Sequence, residues 1–280
     1  MPVESLFATL FPGDCKICGE LLVNISRLPV CNACLQDFKD FAGAQCAICG
    51  ELLLSANFRG EAQGENLCGL CQRFRPSYVR AVSFGPYEGV LREMIHLLKY
   101  QKVRSAAKVL GSKLAIAVQS IASEAGEDPI VVPVPLHRNK FRERSFNQTV
   151  IVAAYAVKAL SRTMPLRFEP AVMRRKRATV SQTGLTRHQR RENVRGAFMV
   201  DPAYRRIIAG KNIILVDDVF TTGTTAEECA RVLRRAGAAQ VWIATIARVS
   251  KLETISILAR QHSHGMEERA LAATGNVANG

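Results

Sequence analysis

The sequence lacks the two glycine-rich patterns that most often mark nucleotide-binding loops. Neither G-x-x-x-x-G-K-[ST] nor G-x-G-x-x-G occurs in its 280 residues, which excludes the common mononucleotide loop and the common dinucleotide fold. No uninterrupted apolar run approaches the roughly eighteen residues of a membrane span, and residues 1–12 lack the basic start and the apolar stretch of a secretory signal. These absences predict a cytoplasmic protein without membrane insertion, whose cysteines stay reduced.

Cysteine is nearly absent from residues 72–280, where only Cys229 occurs, whereas the other eight cysteines lie between Cys15 and Cys71. This asymmetry predicts a small cysteine-dependent module followed by a domain with a conventional apolar core. We place the module at residues 1–75 and the larger domain at residues 78–250. Residues 251–280 are predicted to form a peripheral tail, because their end is poor in large apolar side chains.

The clustered cysteines form four Cys-x-x-Cys knuckles separated by 12, 11 and 18 residues. Gly-Glu-Leu-Leu follows both Cys18 and Cys49, so the module is an internal repeat with a period of 31 residues. Four thiolates in each copy match a closed tetrahedral Zn²⁺ site. We therefore predict two structural zinc ions that drive folding of a module poor in aromatic residues. Redox dithiols or an iron–sulfur cluster would use the same residues. The simplest assignment gives one ion Cys15, Cys18, Cys31 and Cys34 and the other ion Cys46, Cys49, Cys68 and Cys71, while an interleaved pairing stays open.

Acidic residues are scarce relative to basic ones. The chain has 38 Lys and Arg against 24 Asp and Glu, a formal net charge of +14. Such an excess favours a polyanionic partner, either nucleic acid or a diphosphate-bearing substrate. The basic residues are concentrated at 138–144 and 174–195, although a solvated basic face would explain either block alone.

The most informative stretch is residues 213–225, with the sequence IILVDDVFTTGTT. Its four apolar residues predict a strand buried on both faces, and Asp217 and Asp218 follow at the end of that strand. A hydroxyl-rich turn then leads into residues 226–236, whose composition favours a helix. A helix N-terminus offers free N–H groups to a phosphate, and two carboxylates can accept hydrogen bonds from sugar hydroxyls. A solvated turn with an ordinary threonine N-cap is the competing interpretation.

Strands and helices alternate from residue 80 onward, which predicts an α/β fold with a mainly parallel sheet and flanking helices. The acid pair, the threonine turn and the first basic block all follow strands, so we expect them at one edge of the sheet. Lys99 ends a predicted helix. A lysine there usually compensates the helix dipole, and we keep it as a candidate substrate-binding residue.

Residues 213–225 resemble the phosphoribosyl-diphosphate signature of type I phosphoribosyltransferases. The resemblance implies that Asp217 and Asp218 hold the ribose hydroxyls as catalytic residues. It also implies that Mg²⁺ binds with the substrate, mostly through substrate oxygens and water. The residues implied to hold the 5′-phosphate are Thr221, Thr222, Gly223, Thr224 and Thr225.

Two further motifs, Pro-x-Pro-Leu-His at 133–137 and Arg-x-Phe-Asn-Gln at 144–148, are similar to those of ComF-type competence proteins. In that family a double zinc ribbon precedes a phosphoribosyltransferase domain. Arg144 and Asn147 are accordingly candidate substrate-binding residues. The block at 174–195 lies between two predicted strands, and in type I phosphoribosyltransferases such a segment is the hood loop over the diphosphate, so Arg174 is a further candidate. A basic loop that binds DNA is the competing interpretation.

The resemblance leaves two functions open. One is binding of phosphoribosyl diphosphate, with transfer of the ribosyl phosphate to an unidentified acceptor. The other is non-catalytic binding of single-stranded nucleic acid together with DNA-uptake proteins.

Overall fold

The computed structural model describes residues 13–22, 26–53, 66–137, 141–142, 146–177 and 186–250. Arg144, the predicted tail at 251–280 and residues 178–185 of the second basic block lie outside these ranges. Within the described residues, the strands are β1 (Ala81–Pro86), β2 (Ile130–Pro133), β3 (Arg167–Phe168), β4 (Met173–Arg175), β5 (Phe198–Val200), β6 (Asn212–Phe220) and β7 (Gln240–Arg248).

The α-helices of the described residues are α1 (Asn32–Gln36), α2 (Gly69–Arg73), α3 (Gly89–Lys99), α4 (Ala106–Ala122), α5 (Gln148–Leu160), α6 (Arg187–Val194), α7 (Arg205–Ile208) and α8 (Thr224–Arg235). A short 3-10 helix, Pro202–Tyr204, precedes α7. Across these described ranges, no helix is both long enough and apolar enough to cross a bilayer.

Five strands form one sheet in the order β1-β7-β6-β2-β3, and every neighbouring pair is parallel. The predicted fold class, a parallel α/β sheet with flanking helices, is confirmed. The strand predicted before the acid pair is β6, whose residues from Ile213 to Val216 are fully buried. Side chains alternate across a strand, so Ile214 and Val216 enter one core while Ile213 and Leu215 enter the other.

Helices cover both faces of the sheet. The apolar sides of α3, α4 and α5 pack on the face that carries Ile214. Helix α8 packs on the opposite face together with the antiparallel pair β4 and β5. The second basic block, residues 174–195, begins within β4 and ends before β5; we call it the excursion, and it contains α6.

The cysteine module contacts both faces of the sheet. Its first half contributes Cys15, Val30 and Cys34 to the core of α3 and α4. Its second half contributes its four cysteines to the core of α8. Gly85 of β1 shows how close the contact is, because an added Cβ there would lie 2.5 Å from the carbonyl oxygen of Lys39.

Candidate functional site

The acid pair lies where β6 extends beyond its neighbour β2. The last paired residue of β2 is Pro133, which is opposite Val216. Proline cannot continue a ladder of backbone hydrogen bonds, so β2 ends and the next two residues of β6, Asp217 and Asp218, lie past its end. The Asp218 N–H donates to Oδ1 of Asp217 over 2.9 Å.

A lysine and a glutamine from different helices bind the Asp218 carboxylate. Lys99, the last residue of α3, places its Nζ 2.7 Å from Oδ1 of Asp218. Gln148, the first residue of α5, donates from Nε2 to Oδ2 over 3.0 Å. The Lys99 and Asp218 side chains are only 13% and 12% exposed, so this ion pair is shielded from water. Three elements therefore converge on one carboxylate.

The balance of burial and neighbouring charges raises the pKa values of both Asp217 and Lys99. Burial and the adjacent Asp218 raise the pKa of Asp217 to about 7, against the opposing effects of the Asp218 N–H, Lys99 and Arg175. Burial alone would lower the pKa of Lys99, but the charge and hydrogen bond of Asp218 outweigh it and raise that pKa. Near neutral pH the site therefore holds a charged lysine beside a carboxyl group that is close to its titration point.

The turn after β6 has the backbone shape of a phosphate-binding helix start. Gly223 precedes α8 with a φ of +73°, in the left-handed region that favours glycine. Any Cβ at this position would also lie 2.7 Å from Cζ of Phe220. A glycine N-cap has no side chain to accept from the first N–H groups of the helix, so these groups and the positive end of the helix dipole can face an anion.

Hydroxyl groups line the same turn. Thr222 Oγ1 and Thr224 Oγ1 are 3.1 Å apart, and Arg190 of α6 donates from Nη1 to Oγ1 of Thr221 over 3.4 Å. The basic block between β4 and β5 thus reaches the threonine turn. The structure brings together the acid pair, Lys99 and the turn.

Two predicted substrate-binding residues make other bonds. Asn147 accepts from the Thr149 N–H over 3.0 Å and caps α5, and Arg174 forms an ion pair with Asp201. Their sequence neighbours are closer to the acids: Gln148 binds Asp218, and the charge of Arg175 acts on Asp217.

Sequence reasoning missed Gln148 and Arg175. Gln148 belongs to the same Arg-x-Phe-Asn-Gln motif from which Arg144 and Asn147 were chosen. Arg175 lies on a short strand, where neighbouring residues point to opposite sides. The roles of Arg144, Asn147 and Arg174 in substrate binding stay predictions.

The eight cysteines form two separate sets of four. Within each set the sulfur atoms all lie within 4.8 Å of one another. Individual Sγ to Sγ distances are 3.9 Å for Cys15 and Cys34, 3.6 Å for Cys18 and Cys31, and 3.7 Å for Cys49 and Cys68.

These distances fit zinc, because a tetrahedral ion with Zn–S bonds of about 2.3 Å separates its sulfurs by about 3.8 Å. Each set could hold one zinc ion. The simplest assignment is the observed one, and the interleaved pairing is wrong. The first set is Cys15, Cys18, Cys31 and Cys34, and the second is Cys46, Cys49, Cys68 and Cys71.

A parallel α/β sheet with an acid pair near the carboxyl end of a strand and a glycine turn that opens the next helix defines a phosphoribosyltransferase-type domain. Residues 148–256 match the family model described as "Phosphoribosyl transferase domain". A solved structure of the allosteric regulatory enzyme of purine biosynthesis is 25% identical and covers 51% of this chain and 26% of that one. Its TM-score of 0.32 is too low to support an argument about the fold.

Two relatives show to which family of proteins with this domain the chain belongs. The chain is 32% identical over 179 residues to the DNA utilization protein YhgH of Escherichia coli K12, covering 62% of this chain and 75% of that protein. It is 28% identical over 183 residues to Competence protein F of Haemophilus influenzae, covering 65% of this chain and 78% of that protein. The chain belongs to the family of these proteins, the ComF-type competence proteins, as the sequence motifs predicted.

Proposed function

We propose that the protein binds phosphoribosyl diphosphate, or a related ribose 5-phosphate, at the end of β6. One observation carries this proposal: the acid pair and the glycine-started N-terminus of α8 occupy consecutive segments of one strand-turn-helix unit. In this arrangement Asp217 accepts a hydrogen bond from a ribose hydroxyl, and residues 221–225 surround the 5′-phosphate.

The two acids have different tasks in the proposed complex. Both oxygens of Asp218 already accept bonds, from Lys99 and Gln148, so we assign Asp218 to keeping Lys99 in place. Asp217 uses Oδ1 for the Asp218 N–H, and we assign its Oδ2 to a ribose hydroxyl. We also assign the Lys99 ammonium to the diphosphate oxygens, which makes more specific its earlier selection as a candidate substrate-binding residue.

Transfer of the ribosyl group to an acceptor would develop positive charge at the ribose as diphosphate leaves. Fixed carboxylates beside the sugar would stabilise that charge, and the arginines of the excursion would stabilise the diphosphate. Mg²⁺ would accompany the substrate and neutralise diphosphate charge. Within the described ranges, sets of three or more ligating side chains occur only at the two cysteine sites, so the substrate and water would supply most of its ligands.

Calorimetric titration with phosphoribosyl diphosphate, with and without Mg²⁺, tests the binding. We expect saturable binding that is lost in Asp217→Asn. Asp128→Asn is a matched control, because Asp128 precedes β2 at the opposite edge of the sheet and pairs only loosely with Lys211 at 4.0 Å. An intact protein that takes up no ligand, or an Asp217→Asn variant that binds like Asp128→Asn, would refute the proposal.

The names of the two relatives suggest the cellular process in which the protein acts. One is called a DNA utilization protein and the other a competence protein, and we propose that this chain serves DNA uptake or use alongside other proteins of that process. Eight thiols kept free for metal also require a reducing compartment, so we place this activity in the cytoplasm.

Binding of single-stranded DNA is a second candidate function, favoured by the basic excursion. Arg174 and Arg195 keep 67% and 75% of their side chains exposed there. Single-strand binding through such a face falls steeply as salt rises. Fluorescence anisotropy with a labelled oligonucleotide should show weaker binding and a shallower salt dependence of affinity in Arg195→Gln. Asp217→Asn is the control, and it should bind the oligonucleotide with the affinity and the salt dependence of the wild type. An unchanged slope in Arg195→Gln would contradict this function.

A further inference from the structure

Arg248 connects the end of β7 to the second cysteine site. Its side chain is only 4% exposed, which is rare for an arginine and requires strong partners. The guanidinium donates to the backbone oxygen of Cys49 and lies 3.9 Å from the Cys49 sulfur. It also pairs with the carboxylate of Glu51 at 2.7 Å. Arg248 of the sheet is thus held by Cys49, which belongs to the second cysteine site, and by Glu51.

The same guanidinium stacks on the residue that begins the threonine turn. It lies 4.6 Å from the centre of the Phe220 ring, within the range of a cation–π interaction. The ring of Tyr78 meets Phe220 edge-on at 6.4 Å, and the Phe220 carbonyl accepts from the Val249 N–H over 2.9 Å. Phe220 is therefore fixed on its ring and on its backbone.

Phe220 in turn supports Gly223. Three atoms of the Phe220 ring lie 2.7, 3.1 and 3.6 Å from the position that a Cβ on Gly223 would take. The ring therefore packs against the residue whose left-handed backbone starts α8. A continuous chain of contacts leads from Cys49 through Arg248 and Phe220 to Gly223.

The first cysteine site packs elsewhere. Its buried residues Cys15, Val30 and Cys34 belong to the core of α3 and α4, on the opposite face of the sheet from Phe220 and α8. A nearby hydrogen bond joins Ser105 before α4 to the Arg27 carbonyl. The two sites have the same ligands, so they provide an internal comparison.

We propose that the second cysteine site is a structural part of the threonine turn, with Arg248 and Phe220 as its positioning residues. Metal bound there fixes Cys49 and the loop that carries Glu51, and these two residues hold the guanidinium over Phe220 and thereby keep the start of α8 ordered. Metal at the first site has no such effect on the turn. The inference rests on the contacts around the turn, and it stands whether or not the proposed ligand binds.

Hydrogen exchange by mass spectrometry on the full-length, zinc-loaded protein tests the inference. The matched variants are Cys68→Ser with Cys71→Ser at the second site and Cys31→Ser with Cys34→Ser at the first. We expect peptides covering residues 219–228 to exchange about tenfold faster only in the second-site variant, while peptides from residues 212–216 stay protected. Equal exchange of the turn in both variants would overturn the inference.

Phe220→Leu provides a second test, which can be used if the variant of the second cysteine site does not fold. This change leaves Arg248, Glu51 and all eight cysteines in place, so the zinc content measured by elemental analysis should equal that of the wild type. The turn should nevertheless exchange about tenfold faster even with zinc bound. Wild-type protection of residues 219–228 in Phe220→Leu would show that the contacts through the ring do not order the turn.

Binding measurements separate this inference from the proposed function. Coupling between two sites is reciprocal, so phosphoribosyl diphosphate should slow the release of one zinc ion to a chelator in the wild type, and this effect should disappear in Phe220→Leu. Slowed release that persists in Phe220→Leu would contradict the inference. If no phosphoribosyl diphosphate binds at all, the proposed function fails, and the exchange experiments alone decide the inference.

Discussion

Neutralising the two neighbouring acids should change the stability of the protein in opposite directions. The pKa of Asp217 is raised from 3.8 to about 7 in the folded protein, whereas the unfolded chain keeps an ordinary value. The folded state therefore binds the proton more tightly, and stability falls as pH rises from about 4 to about 7. A shift of this size corresponds to about 4 kcal/mol above pH 7. Asp217→Asn removes this unfavourable charge and should stabilise the fold by a similar amount.

Asp218→Asn should have the opposite effect. The variant removes the carboxylate that faces Lys99 and leaves a shielded ammonium group without its ion-pair partner. Breaking a buried pair on one side typically costs about 3 to 5 kcal/mol, and we expect about 3 because both side chains keep a small exposed fraction. The Gln148 hydrogen bond can persist, since asparagine retains an acceptor oxygen.

Urea unfolding between pH 5.5 and 8.5, with zinc present, measures both effects. Relative to the wild type, Asp217→Asn should gain about 2 kcal/mol at pH 5.5 and about 4 kcal/mol at pH 8. Asp218→Asn should lose stability, and Asp128→Asn should stay within about 0.5 kcal/mol as a surface control. A gain for Asp217→Asn that does not grow with pH, or an actual loss, would show that the charge of Asp217 does not destabilise the fold.

Three further predictions concern the turn, the glutamine and the metal. Gly223→Ala should cost about 1 to 3 kcal/mol in urea unfolding and abolish phosphate binding in calorimetry, because φ is positive and the Cβ meets Phe220; a neutral effect would contradict the geometry. Gln148→Met should change the free energy of unfolding by less than about 1 kcal/mol, because two effects oppose each other. The variant loses the hydrogen bond to Asp218, but it also removes a buried Oε1 that has no partner among the described residues. Ligand affinity should still fall, and a wild-type affinity would show that Gln148 does not position Asp218. Prolonged chelation should lower the melting temperature measured by circular dichroism in step with zinc release, and an unchanged melting temperature would separate metal from folding.

The sequence predicted the features that depend on local pattern. The apolar run before Asp217 identified β6, because a strand buried on both faces has no polar alternation. The repeat of knuckles predicted two sets of four cysteines, each of which could hold a zinc ion, and the structure contains both sets. The composition of residues 226–236 predicted α8, which begins two residues earlier, at Thr224.

Features that depend on contacts between distant segments could not be predicted. Gln148 and Asp218 meet across 70 residues, and Arg248 meets Glu51 across 197 residues. An arginine that ends an apolar strand gives no local sign that it will be buried. The period of 31 residues also left the pairing of knuckles undecided, because spacing does not show which loops fold back on which.

The cysteine module contributes side chains to the cores on both faces of the sheet, and this affects whether the sheet can be produced without the module. Removing residues 1–75 would uncover Phe84, whose ring meets Phe38 and the Lys113 ammonium, and would take Cys49 and Glu51 away from Arg248. The remaining fragment would expose apolar surface on both faces of its sheet, and we expect it to aggregate when produced alone. We therefore expect the ribbon and the sheet to fold as one unit, so that replacing either with a relative's counterpart would require redesigning both faces.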